Sequence, residues 1–186
     1  MELIKAIEER RSIRNFKKDD ISKEKVLDIL NSGRLAPSAK NRQPWNFAIL
    51  QKEMKDKVAD LMIEFEDNNK DTENKIYGVK SSVKESAEII KQAPILILVF
   101  RPKDDNWIIG DNLSIGACVQ NMCLRATDLG LGSLWIRDIV YISRQVEDMI
   151  GYKDLELNCA VILGIPNENP KKRPRKKLND IVEWFE

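Results

Sequence analysis

The sequence of 186 residues contains no histidine. This absence excludes Ser-His-Asp and Cys-His nucleophilic sites, an imidazole general base and any zinc site with a histidine ligand. Cysteine is also scarce. The chain has three, an odd number, at Cys118, Cys123 and Cys159, and their spacing fits neither a zinc ribbon nor a thioredoxin-type pair. We therefore expect three free, buried thiols in a protein of a reducing compartment.

Long apolar runs and an excess of either charge are missing as well. The longest strictly apolar run covers residues 93–100, whereas a membrane-spanning helix needs about 20 residues. Residues 1–10 have neither the apolar core nor the cleavage site of a signal peptide. The net charge of +1 excludes a uniformly basic, nucleic-acid-binding surface. We expect a cytoplasmic protein with no membrane or nucleic-acid partner, folded as a single domain over residues 1–186.

The hydrophobic pattern predicts alternating helices and strands, which favours an α/β or α+β layered domain. Helices are expected over residues 2–10, 52–67, 83–92 and 110–129, after the candidate N-caps Ser22 and Ser143, and strands over 46–50, 95–100, 133–136 and 157–165. Residues 113–126 are apolar almost all round, which is typical of a helix buried on every side. The polar stretch 67–80 is interpreted as a loop or lid.

A first candidate binding segment is Arg10-Arg11-Ser12-Ile13-Arg14. In an extended chain Arg10, Ser12 and Arg14 point to one side, because successive side chains alternate. Two guanidinium groups and a hydroxyl group on one side suit a phosphate. The alternative is a solvated charge run at the end of a helix.

A second candidate is the basic run over residues 171–177, in which six of seven residues are Lys or Arg. A disordered tail or a nucleic-acid patch would explain the charge. The apolar residues Ile181, Val182, Trp184 and Phe185 that follow need a place to pack, which argues against a disordered tail. An anion site held down by a docked C-terminal arm over residues 166–186 explains both features.

A third candidate is the segment 36–45, in which two prolines restrict the backbone. Its side chains Ser38, Asn41 and Gln43 offer neutral hydrogen-bonding groups, which suit the carbonyl-imide edge of a heterocycle better than a bare anion. An ordinary rigid turn remains the alternative.

Taken in order, these segments resemble the nitroreductase-like FMN-dependent oxidoreductases. The matching stretches are RRSIRNF (10–16), APSAKNRQPWNF (36–47), GACVQNMCLRATDLGLGSLWI (116–136), VILGIP (161–166) and KKRPRKKL (171–178). The resemblance implies an α+β fold: a three-layer sandwich with a central, mostly antiparallel sheet flanked by helices. It also implies an intertwined homodimer with two FMN molecules at the subunit interface. The apolar helix 110–129 would then form the dimer core.

The resemblance also implies the role of each site residue. Arg10, Ser12 and Arg14 would hold FMN, Arg11 would contact it through its backbone, and Arg173 and Arg175 would clamp its phosphate. Pro37, Ser38, Ala39 and Asn41 would reach FMN from the partner subunit. Trp135, Ile136 and Arg137 would line the isoalloxazine ring, with a backbone N–H near N5. Tyr77 is the expected aromatic contact to the acceptor. No side chain is expected to be catalytic, because the flavin carries the chemistry, and no metal is expected.

The activity implied is hydride transfer from NAD(P)H through flavin N5 to nitroaromatic or quinone-like acceptors, in a ping-pong cycle. The sequence has no G-x-G-x-x-G motif, so NAD(P)H is expected as a transient co-substrate. Two alternatives remain: a flavin enzyme of the same fold with a specialised acceptor, for dehalogenation or dehydrogenation, and a non-catalytic module that binds anions or nucleic acid through residues 171–177. Arg137 and Asp138 stand where many relatives have a small residue. Arg137 would either narrow the pocket and favour an anionic substrate, or point to solvent paired with Asp138.

Overall fold

A four-stranded antiparallel sheet in the order β1-β2-β4-β3 forms the middle layer of the protein. The structure, a computed structural model, describes residues 1–69 and 83–186. The strands are β1 (Asn46–Leu50), β2 (Ile95–Pro102), β3 (Gly132–Ile136) and β4 (Leu155–Gly164). The helices are α1 (Leu3–Glu9), α2 (Lys23–Arg34), α3 (Lys52–Asn68), α4 (Val83–Gln92), α5 (Ile108–Asp128) and α6 (Ser143–Ile150). The expected α+β class with a central antiparallel sheet is confirmed.

Strand β2 shows why the sheet carries a helical layer on each face. Residues 95–100 of this strand are apolar without alternation, and successive side chains enter different cores. Leu96, Leu98 and Phe100 belong to the core that includes residues of α3, α4 and α6, whereas Ile97 and Val99 belong to the core that includes residues of α2 and α5. All five side chains are completely buried. The three layers therefore follow from a central strand that is apolar on both sides.

The two predicted serine N-caps have different outcomes. The Oγ of Ser22 accepts a hydrogen bond from the backbone N–H of Lys25 at 3.4 Å, so this cap is confirmed. The prediction for Ser143 is wrong, because α6 begins at Ser143 itself and Ile142 occupies the cap position. A short 3₁₀ segment, Asp138–Ile142, leads directly into α6, so Ser143 already has helical backbone angles and cannot act as an extended cap. Gly151 ends α6 in the left-handed conformation, which glycine adopts readily.

Helix α5 is not buried on every side within one protomer, contrary to the sequence expectation. Ile109 and Leu113 are 77% and 72% exposed, although Ile115, Val119 and Met122 are completely buried. The exposed stripe exists because α2 and the sheet cover only part of the surface of α5. No described helix is long and apolar enough to cross a membrane.

The C-terminal arm and the predicted lid are only partly accounted for by the described protomer. Residues 171–186 are exposed throughout, with Trp184 and Phe185 88% and 91% exposed, so this outer part of the arm does not pack on its own protomer, whereas residues 166–168 are bonded to it. The core on each face of the sheet is already filled by other elements. Of the polar stretch 67–80 predicted as a lid, residues 67 and 68 continue α3, while residues 70–80, including Tyr77, lie outside the described residues, so the lid stays a prediction.

Candidate functional site

The segment from Arg10 to Phe16 lies beside the edge strand β3 and the residues that follow β4. Ser12 forms a parallel bridge with Ser133 of β3, and the backbone N–H of Ile13 donates to the carbonyl oxygen of Ser133 at 3.0 Å. Ile13 and Phe16 are buried, while Arg14 is exposed. Burial of Ile13 and Phe16 therefore anchors the segment, and its polar residues are left outside the core.

The two basic segments from opposite ends of the chain meet at one cleft of about 410 Å³. Its polar and charged lining comprises Glu8, Arg10, Arg11, Ser12, Arg14, Lys171, Lys172, Arg173 and Arg175. Seven cations thus surround the cleft with one carboxylate among them. The cleft is therefore suited to an anion with more than one negative charge.

Arg11 uses its side chain differently from its neighbours. Its Nη1 donates to the carbonyl oxygen of Glu8 at 2.7 Å and to that of Arg10 at 2.8 Å, at the C-terminal end of α1. A guanidinium group at this position donates to carbonyl groups that have no hydrogen-bond partner within the helix. Nη1 of Arg11 is therefore engaged by its own segment, and a backbone contact of Arg11 with a ligand stays a prediction.

A second cleft of about 520 Å³ adjoins the first and shares Arg14 and Arg173 with it. Its remaining lining comes from the end of β3 and from α4: Glu85, Ser86, Ile89, Leu134, Trp135, Ile136, Arg137 and Asp138. Trp135, Ile136 and Arg137 were predicted here from the sequence, whereas Glu85, Ser86 and Ile89 were missed. Their helix is amphipathic, but nothing in its local pattern shows which end of the sheet it covers.

Arg137 is held against its own segment. Its Nη2 donates to Oδ1 of Asp138 at 3.0 Å and to the hydroxyl oxygen of Tyr141 at 2.8 Å, and its guanidinium carbon lies 5.6 Å from the centre of the Tyr141 ring. The hydrogen bond to Asp138 raises the pKa of Arg137. The side chain is 54% exposed while lining the second cleft. The pairing with Asp138 is therefore present, and the charge still faces the cleft.

Glu168 is a functional candidate that the sequence did not reveal. Its Oε1 accepts hydrogen bonds from the backbone N–H groups of Arg14 and of Asn15, the latter at 3.1 Å. The backbone N–H of Asn167 donates to the carbonyl oxygen of Asn15 at 2.9 Å. Together these bonds fasten the first basic segment to the chain that leads into the second. No local signal could have identified Glu168, because its partners are more than 150 positions away.

The third predicted segment does not reach either cleft of its own protomer. Pro37, Ser38, Ala39 and Asn41 line neither of them. They belong to a loop held against the N-terminal part of α5, where the backbone N–H of Ala39 donates to Oγ of Ser114 at 3.2 Å. Nine of the thirteen predicted cofactor residues are thus brought together in one protomer, and the four expected to act from a partner subunit stand apart.

The three cysteines are buried in the core between the sheet and helices α2 and α5. Burial raises the pKa of Cys118 and of Cys159 from 9.0 to about 12, because the charged thiolate is desolvated. Within residues 1–69 and 83–186, no cluster of Cys, Asp or Glu is arranged to hold a metal ion.

Comparison with known proteins assigns the family. Residues 7–165 match the model of the Nitroreductase family, and the chain belongs to this family of oxidoreductases. Among curated proteins, it is 27% identical to the Bacillus subtilis protein named "Putative NAD(P)H nitroreductase YfhC" over 180 residues, covering 94% of this chain and 89% of that one. It is 26% identical to the iodotyrosine deiodinase of Thermotoga neapolitana over 181 residues, covering 91% of each chain.

Solved structures agree with this assignment. A "putative nitroreductase in complex with FMN" from Desulfovibrio desulfuricans superposes with a TM-score of 0.78 at 26% identity, covering 100% of this chain and 99% of that one. The FMN-dependent nitroreductase NfnB from Mycobacterium smegmatis, in complex with NADPH, superposes with a TM-score of 0.81 at 16% identity, covering 98% and 97% of the chains. The latter likeness shows the fold alone.

Proposed function

We propose that the protein is an FMN-dependent NAD(P)H oxidoreductase that passes hydride to nitroaromatic or quinone-like acceptors. The observation that carries the proposal is the junction of two clefts: a strongly basic one, and a second one that shares Arg14 and Arg173 with it and ends at β3. A cofactor in which a polar chain links a phosphate to a flat ring would fill both clefts, with the phosphate in the basic cleft and the ring in the second one. The structure from Desulfovibrio desulfuricans, described above, contains FMN.

The residues present fit the phosphate end of FMN. A phosphomonoester carries a charge of about −1.5 to −2 at neutral pH. Arg10, Arg173 and Arg175 supply charged donors from two sides of the basic cleft. Arginine presents a planar set of donors that suits the oxygen atoms of phosphate.

The second cleft fits the ring. Leu134 and Ile136 provide apolar lining, and Arg14 provides a cation near the boundary between the two clefts. Arg137 follows Ile136, the last residue of β3 paired with β4, so its backbone N–H stands at the end of the strand. When bound, FMN supplies the hydride chemistry itself. The chain then binds and orients the cofactor, and the absence of histidine is no obstacle.

A second copy of the chain completes the proposed site. The family resemblance assigns the cofactor of the partner subunit to Pro37, Ser38, Ala39 and Asn41, and their position outside both clefts of their own protomer leaves them available for it. The exposed apolar stripe of α5 and the exposed end of the C-terminal arm supply surface for such a dimer.

The deciding experiment is cofactor uptake followed by turnover. The purified protein should bind one FMN per chain, with flavin absorbance, and should oxidise NADH or NADPH in the presence of a nitroaromatic or quinone acceptor. Initial-rate plots at several acceptor concentrations should give parallel lines, as a ping-pong cycle requires. A protein that cannot take up FMN would contradict the proposal, and nucleic-acid binding lost on replacing the lysines of residues 171–177 would then support the binding-module alternative.

A specialised acceptor is the second candidate. The similarity to the iodotyrosine deiodinase of Thermotoga neapolitana over 91% of both chains favours including halogenated tyrosines in the acceptor screen. Halide release that exceeds nitro or quinone reduction under the same conditions would favour this candidate over the leading one.

A further inference from the structure

The loop from Ser38 to Gln43 has an unusual backbone. Lys40, Asn41 and Gln43 have positive φ angles of 49°, 55° and 49°. Such angles are uncommon for residues other than glycine, and a run of them persists only where the surroundings impose it. The same three residues, Lys40, Asn41 and Gln43, are exposed. A strained conformation is therefore maintained in a loop with little core of its own.

An ion pair with one completely buried partner holds this loop. The carboxylate of Asp111, in the first turn of α5, is 0% exposed and accepts hydrogen bonds from Nε and Nη2 of Arg42 at 3.2 and 3.4 Å. Asp104 accepts from the same Nη2 at 3.3 Å. The guanidinium carbon of Arg42 also lies 4.4 Å from the centre of the Trp107 ring, in cation–π contact. Arg42 is thus fixed by two carboxylates and an aromatic face.

Backbone contacts fasten the loop at its other side. Oγ of Ser114 accepts from the N–H of Ala39 at 3.2 Å and donates to the carbonyl oxygen of Gly110 at 2.6 Å. Gly110 permits this approach, because a Cβ atom there would lie 3.3 Å from the Cβ of Ala39. Within the loop, Oγ of Ser38 accepts from the N–H of Gln43 at 3.0 Å. Each contact restricts the same short segment.

We infer that Arg42, held by Asp111 and Trp107, is a positioning residue that fixes the loop of Ser38 and Asn41 for the flavin site of the partner subunit. The inference rests on the proposed function. A desolvated carboxylate is costly unless it is well paired, and this one stabilises a loop that lines neither cleft of its own protomer. A rigid loop would bind FMN without first losing conformational freedom, which strengthens binding.

The first test removes the ion pair without leaving a buried charge. In Arg42→Met combined with Asp111→Asn, the loop would be released while the fold is retained. If the binding-competent loop conformation falls to about one tenth of the population, the Kd for FMN rises about tenfold. The matched control is Arg125→Met, because Arg125 is likewise held by two carboxylates, those of Asp28 and Asp128, but at the far end of α5. The control should bind FMN as the unmodified protein does.

The second test asks whether the loop acts on the flavin site of its own subunit or on that of the partner. A residue that only stabilises its own protomer would not affect the partner's site. A chain with Arg42→Met and Asp111→Asn is co-assembled with a chain carrying Arg173→Ala and Arg175→Ala, and the mixed dimer is isolated with two different tags. If the loop serves the partner, one of the two sites combines an intact clamp with an intact loop. FMN should then bind at about half stoichiometry with the affinity of the unmodified protein.

Two results would overturn the inference. One is an unchanged FMN affinity in the Arg42→Met, Asp111→Asn variant, and the other is a mixed dimer in which neither site regains full affinity. Failure of the proposed function is distinguished from both, since in that case the unmodified protein would not bind FMN at all.

Discussion

Gly132 and Gly164 face each other across the β3–β4 pair, and each lies beneath a buried side chain of the first basic segment. A Cβ atom on Gly132 would lie 2.9 Å from Cγ1 of Ile13, and one on Gly164 would lie 2.5 Å from Cδ1 of Phe16. Two glycines thus allow the segment from Arg10 to Phe16 to pack directly on the sheet. The position of the arginines in the basic cleft depends on this close approach.

Replacing Gly164 by alanine tests that dependence. The added methyl group meets the ring of the buried Phe16 and, at 3.1 Å, Cδ of Pro94, so the packing around it must shift. Overpacking of this kind costs about 1–3 kcal/mol of unfolding free energy. We expect Gly164→Ala to lower the midpoint of thermal unfolding and to weaken FMN binding. Adding Phe16→Leu should recover part of the loss, as a double-mutant cycle would measure. Purely additive effects would contradict the packing argument.

The phosphate clamp gives a prediction that separates two forms of the cofactor. Arg175 lines the basic cleft but not the second one. Because a charged hydrogen bond contributes about 1.5–3 kcal/mol, Arg175→Ala should weaken FMN binding about ten- to hundredfold. Riboflavin, which lacks the phosphate, should bind poorly to the unmodified protein and should not respond to the substitution.

The controls for this prediction come from the same segments. Lys176→Ala, next to Arg175 but outside both clefts, should leave FMN binding unchanged. Arg14→Ala should also weaken FMN binding about ten- to hundredfold, and its effect should not add fully to that of Arg175→Ala, because both contact one ligand. Equal losses of riboflavin and FMN affinity in Arg175→Ala would show that this arginine supports the fold or the ring instead.

The sequence predicted most elements because their signals are local. The apolar run 95–100 is buried on both faces as β2, and α4 covers Val83–Gln92 as its periodicity indicated. The pairings that build the site are not local. Arg42 finds Asp111 through a bond between residues 69 positions apart, and Glu168 reaches Arg14 across 154 positions. Neither pairing has a periodic pattern, so only the folded chain reveals it.

Surface apolar residues show a second limit of sequence reasoning. The apolar character of residues 113–126 predicted burial on every side, but Leu113 is exposed in the protomer, as is Ile109 one turn before it. Periodicity records that a face is apolar and does not record which chain covers it. The same holds for Trp184 and Phe185 at the end of the arm. The loop around Ser38 shows the opposite limit. The family resemblance predicts that this loop contacts the cofactor of the partner subunit, and a single protomer cannot show such a contact.

The exposed stripe of α5 predicts an obligate homodimer. Sedimentation should give a mass of twice 21.5 kDa. Leu113→Glu places a charge in the centre of the proposed interface and should produce monomers that no longer retain FMN. Met54→Glu, a comparable change on α3 in the opposite helical layer, should leave the dimer intact. A stable, FMN-loaded monomer of the unmodified protein would contradict the prediction.

Arg137 predicts a charge preference in the acceptor. The side chain lines the second cleft and is half-exposed, so its interaction with an anion is worth about 1 kcal/mol, or about fivefold in kcat/KM. Arg137→Ala should reduce kcat/KM for a carboxylated nitroaromatic by about that factor and leave its uncharged parent compound unaffected. Arg144→Ala, on the exposed side of α6, is the control. Equal changes for both acceptors would indicate that Arg137 only shapes the segment around Tyr141.

The buried thiols predict both protection and a pH dependence. Burial holds the pKa of Cys118 and Cys159 at about 12 in the folded protein and raises that of Cys123 as well, whereas the ordinary value is 9.0. Since the folded pKa is higher than the unfolded one, the stability contribution of each thiol is fully present below about pH 9 and is lost as the pH rises toward 12. Replacing all three by alanine should therefore reduce the loss of unfolding free energy at alkaline pH relative to the unmodified protein.

A disulfide-exchange reagent at pH 8 should label none of the thiols in the folded protein and three in denaturant. Rapid labelling of Cys118 without denaturant would show that the core between α2 and α5 opens in solution.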